Sequence, residues 1–251
     1  MSVLERIDYR FDEGDGRPIV FVHGWLGSKE FWELITPYMD TSRPMLFYNQ
    51  RCHGGSREME FSIEDLADDL HLMLEELGLA DPLLVGHSMG GMTVLKYATL
   101  YDNFSGLCLL GSCADTPEPE NKSVEYFLEE LDEISREEWA EKIADNYILG
   151  EDKQEMREMT QKELLKADER AIREGLEAMM EYDVTEELEE LDVEALVVAG
   201  SLDGAITVEK SEELAELLDC RLEVLDVTHQ MLPERPEKVA GLIEEFSRQV
   251  K

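Results

Sequence analysis

The chain has 251 residues, a length that suits one domain with a substantial buried core. It carries 59 acidic and 23 basic residues, which gives a formal net charge of −36. Binding to nucleic acid or to an anionic membrane surface needs patches of Lys and Arg, and their absence here argues against both partners. Because the acids are spread along the whole sequence, we interpret them as the solvated surface of a halophilic protein.

The four cysteines are dispersed, form no CxxC pair and have no histidine cluster beside them, which argues against a metal site. No cofactor is expected, because neither a Walker sequence nor a G-x-G-x-x-G fingerprint follows a predicted strand. The first residues lack the apolar segment of a signal peptide, and no apolar run is long enough to span a bilayer. We therefore expect a cytoplasmic protein, either a monomer or a homodimer.

Short apolar runs alternate with helical patterns along the chain. The predicted strands cover residues 5–11, 18–23, 44–49, 83–86, 104–110, 196–199 and 222–225. Apolar strands that alternate with helices indicate an α/β fold in which a mostly parallel sheet is covered by helices on both faces.

Helix termini are marked by residues that commonly cap helices. Ser28 is a predicted N-cap, and Ser62 is the predicted N-cap of an amphipathic helix that ends at Gly78. A further helix is predicted to begin near Met89, directly after the strand at residues 83–86.

One long stretch breaks the alternation of strands and helices. Between about residues 117 and 191 the pattern is helical and contains no strand signal. We predict that residues 1–116 and 192–251 form the core, and that residues 117–191 form a helical cap inserted into it.

The segment at residues 83–91 reads Leu-Leu-Val-Gly-His-Ser-Met-Gly-Gly. Its G-x-S-x-G pattern joins an apolar strand to a helix, so Ser88 is predicted to lie on the sharp turn between them, with its hydroxyl exposed at the carboxyl end of the sheet. Gly86 and Gly90 have no side chains, and a side chain at either position would clash in such a turn. Ser88 is therefore the candidate nucleophile.

This segment, together with His-Gly-Trp at residues 23–25 and Arg-Cys-His-Gly-Gly-Ser at residues 51–56, resembles the motifs of the α/β-hydrolase superfamily in their usual order. Within it, the resemblance is to the compact capped esterases, enol-lactonases and cofactor-free haloperoxidases, and it covers essentially the whole chain. It implies an eight-stranded sheet with a helical cap inserted after the sixth strand. The third motif departs from the family at Asn49 and Cys52, where Asp and Gly are usual.

The resemblance implies a triad in the chain order Ser, Asp, His. Asp203 follows a predicted strand in a loop, where the family places the acid that orients the imidazole. Asp115 follows the preceding strand and Asp226 lies close to the histidine in sequence, so both stay open as alternatives. His229 is the only histidine after the last predicted strand, which makes it the predicted general base.

Acyl transfer also needs hydrogen-bond donors for the negative charge that develops on the substrate oxygen. The predicted donors are the backbone N–H of Met89, at a helix N-terminus, and that of Trp25, in the loop after a strand. We expect Trp25, Met231, Tyr126 and Tyr147 to line the substrate pocket, and the acyl group of the substrate to be uncharged or weakly polar.

The sequence thus predicts a carboxylic ester hydrolase that acts on small to medium esters through an acyl-serine intermediate. Serine as the nucleophile argues against haloalkane dehalogenase and epoxide hydrolase chemistry, because relatives with those activities use Asp. Hydrolysis of lactones, thioesters or C–C bonds uses the same triad and stays open. A role outside catalysis also stays open, namely a hydrolase-like scaffold that binds a ligand or a basic protein.

Overall fold

The computed structural model describes residues 2–57, 59–116, 124–150 and 152–250. The strands are β1 (Tyr9–Asp12), β2 (Ile19–Val22), β3 (Met45–Tyr48), β4 (Leu83–His87), β5 (Gly106–Leu110), β6 (Ala195–Gly200) and β7 (Arg221–Leu225). The helices are α1 (Ile63–Leu77), α2 (Met89–Leu100), α3 (Val124–Glu133), α4 (Arg136–Tyr147), α5 (Gln154–Lys166), α6 (Glu169–Met180), α7 (Thr185–Leu188), α8 (Val208–Leu217), α9 (Met231–Glu234) and α10 (Pro236–Ser247). Short 3-10 helices cover Val3–Glu5, Lys29–Leu34 and Thr36–Tyr38.

In the described part of the chain, seven strands form one sheet in the order β1-β3-β2-β4-β5-β6-β7. Strand β1 runs antiparallel to β3, and all other neighbouring pairs are parallel. The predicted α/β fold with a mostly parallel sheet is confirmed. The predicted number of eight strands is wrong, and the helical insertion follows the fifth strand of the sheet and not the sixth.

The first strand begins at Tyr9, later than the predicted residue 5, and local capping explains this difference. The hydroxyl of Ser2 accepts a hydrogen bond from the N–H of Leu4, and the carboxylate of Glu5 accepts one from the N–H of Ser2. This capping box starts the 3-10 helix Val3–Glu5, so Glu5 lies in a helical turn and not at the beginning of the first strand.

The two other predicted N-caps have different outcomes. Ser62 caps α1 in a capping box with Asp65, and Gly78 ends that helix in the left-handed conformation, with φ of 66°. Ser28 precedes a helical segment, as predicted, but the segment is a 3-10 helix and the Ser28 side chain makes no capping hydrogen bond.

The sheet is covered on both faces, which buries alternate side chains of each strand on opposite sides. Helices α1, α2 and α8 pack on one face, over Val20, Leu84 and Leu107. The 3-10 helix Lys29–Leu34 and helices α9 and α10 pack on the other, over Phe21 and Val85. Within the described ranges, no helix combines the length and the apolar character needed to cross a membrane.

Helices α3 to α7 lie between β5 and β6. They contribute Trp139 and Ile172 to the apolar cluster that also contains Val20 and Leu84. Backbone hydrogen bonds from Thr116 to Tyr182 and from Val184 to Ala114 join the two ends of this segment, which we call the insertion. The insertion therefore begins and ends at neighbouring points beside the carboxyl end of β5.

Candidate active site

Ser88 occupies a strained turn between β4 and α2. Its φ of 54° and ψ of −123° lie in a region that residues other than glycine rarely adopt, and such strain costs about 1–3 kcal/mol. The Ser88 N–H donates to the carbonyl of Leu110 on the neighbouring strand at 2.9 Å. The sheet thus holds the serine in a conformation that presents its side chain away from the strand.

Close backbone contacts explain the glycines that flank this serine. A Cβ on Gly86 would lie 2.4 Å from the carbonyl oxygen of Gly90, and a Cβ on Gly90 would lie 2.1 Å from that of Val22. Neither distance is compatible with a side chain, so the sharp turn requires glycine at position 86 and the approach of β2 requires it at position 90.

Asp203 and His229 form a buried pair beside the serine. The Nδ1 of His229 donates to Oδ2 of Asp203 at 2.8 Å, and the other carboxylate oxygen accepts backbone N–H groups from Ala205 and Ile206 at 2.8 and 2.9 Å. Because Asp203 pairs with Nδ1, Nε2 is the ring atom that faces away from the carboxylate and can act as a base.

The two alternative acids lie elsewhere. Asp226 is exposed and its nearest described partner is the Ser201 hydroxyl at 3.4 Å. Asp115 binds the ammonium of Lys210 at 3.1 Å. Of the three candidates, the structure brings only Asp203 into hydrogen-bond contact with His229.

The histidine next to Ser88 supports the backbone of His229. Burial lowers the pKa of His87 to about 3, with a further contribution from His229, so the His87 ring is neutral. Its Nε2 donates to the carbonyl oxygen of His229 at 3.0 Å. His87 therefore links the turn at Ser88 to the loop that carries His229.

Ser88 and His229 line the same cavity of about 320 Å³. Among the hydrogen bonds of the described residues, none joins the Ser88 hydroxyl to the His229 ring. Contacts between nucleophile and base are often longer in a free enzyme and shorten when substrate binds. The arrangement therefore brings the two groups to one cavity without a direct bond.

Two backbone N–H groups are available beside Ser88, the candidate nucleophile. Those of Trp25 and Met89 donate no hydrogen bond within the described residues, and Met89 is the first residue of α2. Unpaired donors at a helix N-terminus favour negative charge. Both groups are thus free to bind a developing oxyanion.

The loop that carries Trp25 is held by a neutral histidine. Burial lowers the pKa of His53 to about 4. Its Nε2 accepts the N–H of Leu26 at 3.1 Å while its Nδ1 donates to the carbonyl of Arg51 at 2.6 Å. Leu26 has a φ of 57°, so this hydrogen bond fixes a strained residue next to Trp25.

The third motif differs from the usual family residues at Asn49, whose contacts the structure shows, and at Cys52, which keeps a backbone conformation that favours glycine. The Asn49 amide accepts the N–H of Lys29 at 2.7 Å and donates to Asp8 at 2.9 Å, which joins the loop to β1. Cys52 has a φ of 61°, the left-handed conformation for which glycine is the usual residue.

Of the predicted pocket residues, Trp25 and Tyr147 line the cavity. The Tyr147 ring meets that of His229 edge-on, with centroids 5.5 Å apart. Met231 does not line the cavity. It begins α9 and is fully buried in the apolar cluster that contains Phe21 and Val85. The side chain of Tyr126 lies outside the described residues.

Sequence reasoning did not identify most of the cavity wall. Apolar residues from the core and the insertion line it, together with two carboxylates, Glu30 and Glu163. No lysine or arginine belongs to the described lining. The apolar wall residues not predicted are Leu26, Phe31, Leu34, Met159, Leu164 and Met179.

Trp25 also connects this wall to the insertion. Its indole N–H donates to the carbonyl of Ala171 on α6 at 3.1 Å, and its ring meets that of Trp139 edge-on, with centroids 6.2 Å apart. Within the described residues, no group of three or more His, Cys, Asp or Glu side chains is placed to hold a metal ion.

A model of the alpha/beta hydrolase family matches residues 19–242 of the chain. A 3-oxoadipate enol-lactonase of Acinetobacter baylyi is 24% identical over 244 residues, 93% of this chain and 90% of that protein. A non-heme chloroperoxidase of Kitasatospora aureofaciens is 36% identical, but over 89 residues, 34% of this chain and 32% of that protein. An esterase of Exiguobacterium antarcticum superposes with a TM-score of 0.83 at 21% identity, over 96% of this chain and 95% of that one, which is a likeness of fold.

Proposed function

We propose that this chain, which belongs to the alpha/beta hydrolase family, hydrolyses carboxylic esters through an acyl intermediate on Ser88. The observation that carries the proposal is the buried Asp203–His229 hydrogen bond, 2.8 Å long, beside a cavity that His229 and Ser88 both line. A nucleophile, a base and an acid that orients the base are the parts that acyl transfer needs.

In the first half-reaction, the Ser88 oxygen attacks the ester carbonyl carbon while Nε2 of His229 takes the hydroxyl proton. The carbonyl oxygen becomes negatively charged and accepts the N–H groups of Trp25 and Met89; one such donor contributes about 3 kcal/mol to transition-state stabilisation. Collapse of the tetrahedral intermediate breaks the bond to the alcohol, which leaves with the proton from His229.

In the second half-reaction, water attacks the acyl-Ser88 carbonyl and His229 again acts as the base. The proton returns to the Ser88 oxygen as the carboxylic acid forms. Asp203 stays ionised throughout and stabilises the imidazolium of each step.

The lining of the cavity supports an uncharged acyl substrate. The two carboxylates of the wall, Glu30 and Glu163, are paired with Lys29 and Lys166. Apolar and aromatic side chains form most of the remaining wall and disfavour a substrate carboxylate. No cation of the described lining is available to pair with such a group. Esters with short or medium uncharged acyl chains fit this chemistry best.

Lactones are the second candidate substrates, because an enol-lactonase aligns with 93% of the chain. A lactone is a cyclic ester, so the same attack by Ser88 opens its ring and leaves the alcohol on the acyl chain. The mostly apolar wall again favours a lactone without a negative charge.

The test is hydrolysis of p-nitrophenyl esters, from acetate to laurate, and of simple uncharged lactones, at low and at molar KCl. We expect wild type to hydrolyse the shorter esters and Ser88→Ala to lose activity by about 10⁴-fold or more. Ser201→Ala is the matched control, because this serine is exposed in the turn after β6.

Each outcome decides a part of the proposal. Hydrolysis of lactones but not esters supports the second candidate. A Ser88→Ala variant with wild-type activity refutes the acyl-serine mechanism. If wild type is inert and a fluorophosphonate leaves Ser88 unlabelled, the chain is a binding scaffold and not a hydrolase.

A further inference from the structure

A second buried carboxylate lies beside the His229 loop. The carboxylate of Glu234, on α9, accepts the backbone N–H of Thr228 at 2.9 Å and its hydroxyl at 2.5 Å. Thr228 is fully buried and immediately precedes His229. Besides the hydrogen bond from His87, two hydrogen bonds to one carboxylate therefore help to fix the His229 backbone.

The other oxygen of this carboxylate pairs with a lysine of the insertion. Lys153, just before α5, donates its ammonium to Glu234, whose side chain is 6% exposed. Burial by itself raises the pKa of Glu234, but the hydrogen bonds from Lys153 and Thr228 outweigh it and the pKa is lowered. Glu234 is thus ionised, and Lys153 neutralises it.

The insertion also contacts the loop of the catalytic acid. The N–H of Gly204 donates to the carbonyl of Tyr147, and that of Leu149 donates to the carbonyl of Leu202, each at 3.2 Å. A Cβ on Gly204 would lie 1.8 Å from the carbonyl oxygen of Asn146, so the two segments approach each other closely. The end of α4 therefore packs directly on the loop that holds Asp203.

We propose that Glu234 is a positioning residue for His229, and that Lys153 holds it in place from the insertion. The partly buried Lys153–Glu234 ion pair then makes the alignment of the Asp203–His229 pair depend on the contact between the insertion and α9. The inference rests on the proposed role of His229 as the base.

Substitutions of Glu234 and of Lys153 are expected to have different effects on the His229 loop. Glu234→Ala removes both hydrogen bonds that Thr228 donates, whereas Glu234→Gln keeps an acceptor for them and removes the charge. Lys153→Met leaves the Glu234 carboxylate buried without its partner, which costs more than removing both charges together. The double variant Lys153→Met/Glu234→Gln is therefore expected to recover activity that Lys153→Met loses.

The experiment measures kcat and KM for a p-nitrophenyl ester in these four variants and in Ser88→Ala, with melting temperatures to exclude unfolding. We expect kcat of Glu234→Ala to fall about ten- to hundredfold with little change in KM, because small displacements of catalytic groups cost rate. Glu234→Gln should retain more of kcat. The exposed pair Arg221–Glu245 supplies the control, Arg221→Met/Glu245→Gln, which should be unchanged.

A second readout does not need turnover. In protein with ¹⁵N-labelled histidine, the proton between His229 and Asp203 gives a downfield NMR signal, which we expect to be lost or shifted in Glu234→Ala and kept in Glu234→Gln. Wild-type kcat and an unchanged signal in folded Glu234→Ala overturn the positioning role. Equal kcat in Lys153→Met and the double variant overturns the part played by Lys153. Activity that survives in Ser88→Ala refutes the proposed function instead.

Discussion

Replacement of Asp203 by Asn changes one atom of the proposed triad and little else. The Asn carbonyl oxygen can still accept the N–H groups of Ala205 and Ile206, as Oδ1 does at 2.8 and 2.9 Å. The amide nitrogen then faces Nδ1 of His229 and donates to it. The proton of the neutral imidazole is therefore moved to Nε2, where it blocks uptake of the Ser88 proton.

The magnitude follows from the loss of the correct tautomer. The corresponding change in a serine protease lowers kcat by about 10⁴, equal to about 5 kcal/mol of transition-state stabilisation. We expect a similar loss in kcat for p-nitrophenyl butyrate and a parallel drop in the rate of fluorophosphonate labelling. Because the backbone hydrogen bonds are kept, the free energy of unfolding in urea should change little.

Matched variants of the two alternative acids complete this test. Asp226→Asn and Asp115→Asn should keep wild-type kcat, because Asp226 is exposed and Asp115 binds Lys210. The reasoning is refuted if Asp203→Asn keeps more than about a tenth of kcat, or if either control loses activity as strongly.

Three further outcomes are expected. Trp25→Phe removes the hydrogen bond to Ala171 but keeps the backbone N–H, so KM should rise about fivefold with kcat nearly unchanged, and a large fall in kcat contradicts this. His53 has its pKa lowered to about 4 by burial, so below pH 6.5 the unfolded chain binds a proton that the folded chain refuses. The free energy of unfolding therefore falls as pH falls. In urea titrations, His53→Asn should reduce its loss between pH 7 and 5.5 by about 1 kcal/mol. The same loss in wild type and variant would contradict the burial of a neutral ring. The net charge of −36 should be screened by molar KCl, which raises the melting temperature, and a steady fall with added KCl refutes salt adaptation.

The sequence contained enough local information to predict the turn at Ser88. Gly86 is required by a contact with Gly90, within a few residues of the serine, whereas Gly90 is required by the carbonyl of Val22 on the neighbouring strand β2; the short motif identifies both. The limits of α1 were likewise predictable, because the capping residue Ser62 and the terminating Gly78 act through their own backbone neighbours. Features of this kind depend little on the rest of the fold.

The cavity wall could not be predicted in the same way. Met159 and Glu163 lie on one side of α5, and nothing in their spacing indicates that this side faces the serine. Their position depends on how the insertion packs against the core. One such contact is the hydrogen bond from the indole of Trp25, in the core, to the carbonyl of Ala171 on α6. Met231 was predicted to line the pocket, but α9 turns it into the core.

The pairing of Glu234 with Lys153 shows the same limit. The two residues are 81 positions apart, and the sequence contains many other acids that could pair with Lys153. In the structure Glu234 differs from exposed acids because its side chain is buried and accepts hydrogen bonds from Thr228. Burial depends on tertiary packing and was not visible in a strongly acidic sequence.

The measurement that tests the central claim most directly is mass spectrometry of the enzyme quenched during ester turnover, followed by peptide mapping. The account predicts an added acyl mass on the peptide that contains Ser88, which disappears in Ser88→Ala together with hydrolysis. Ester hydrolysis without an adduct on Ser88, or with an adduct on another residue that survives in Ser88→Ala, would contradict it.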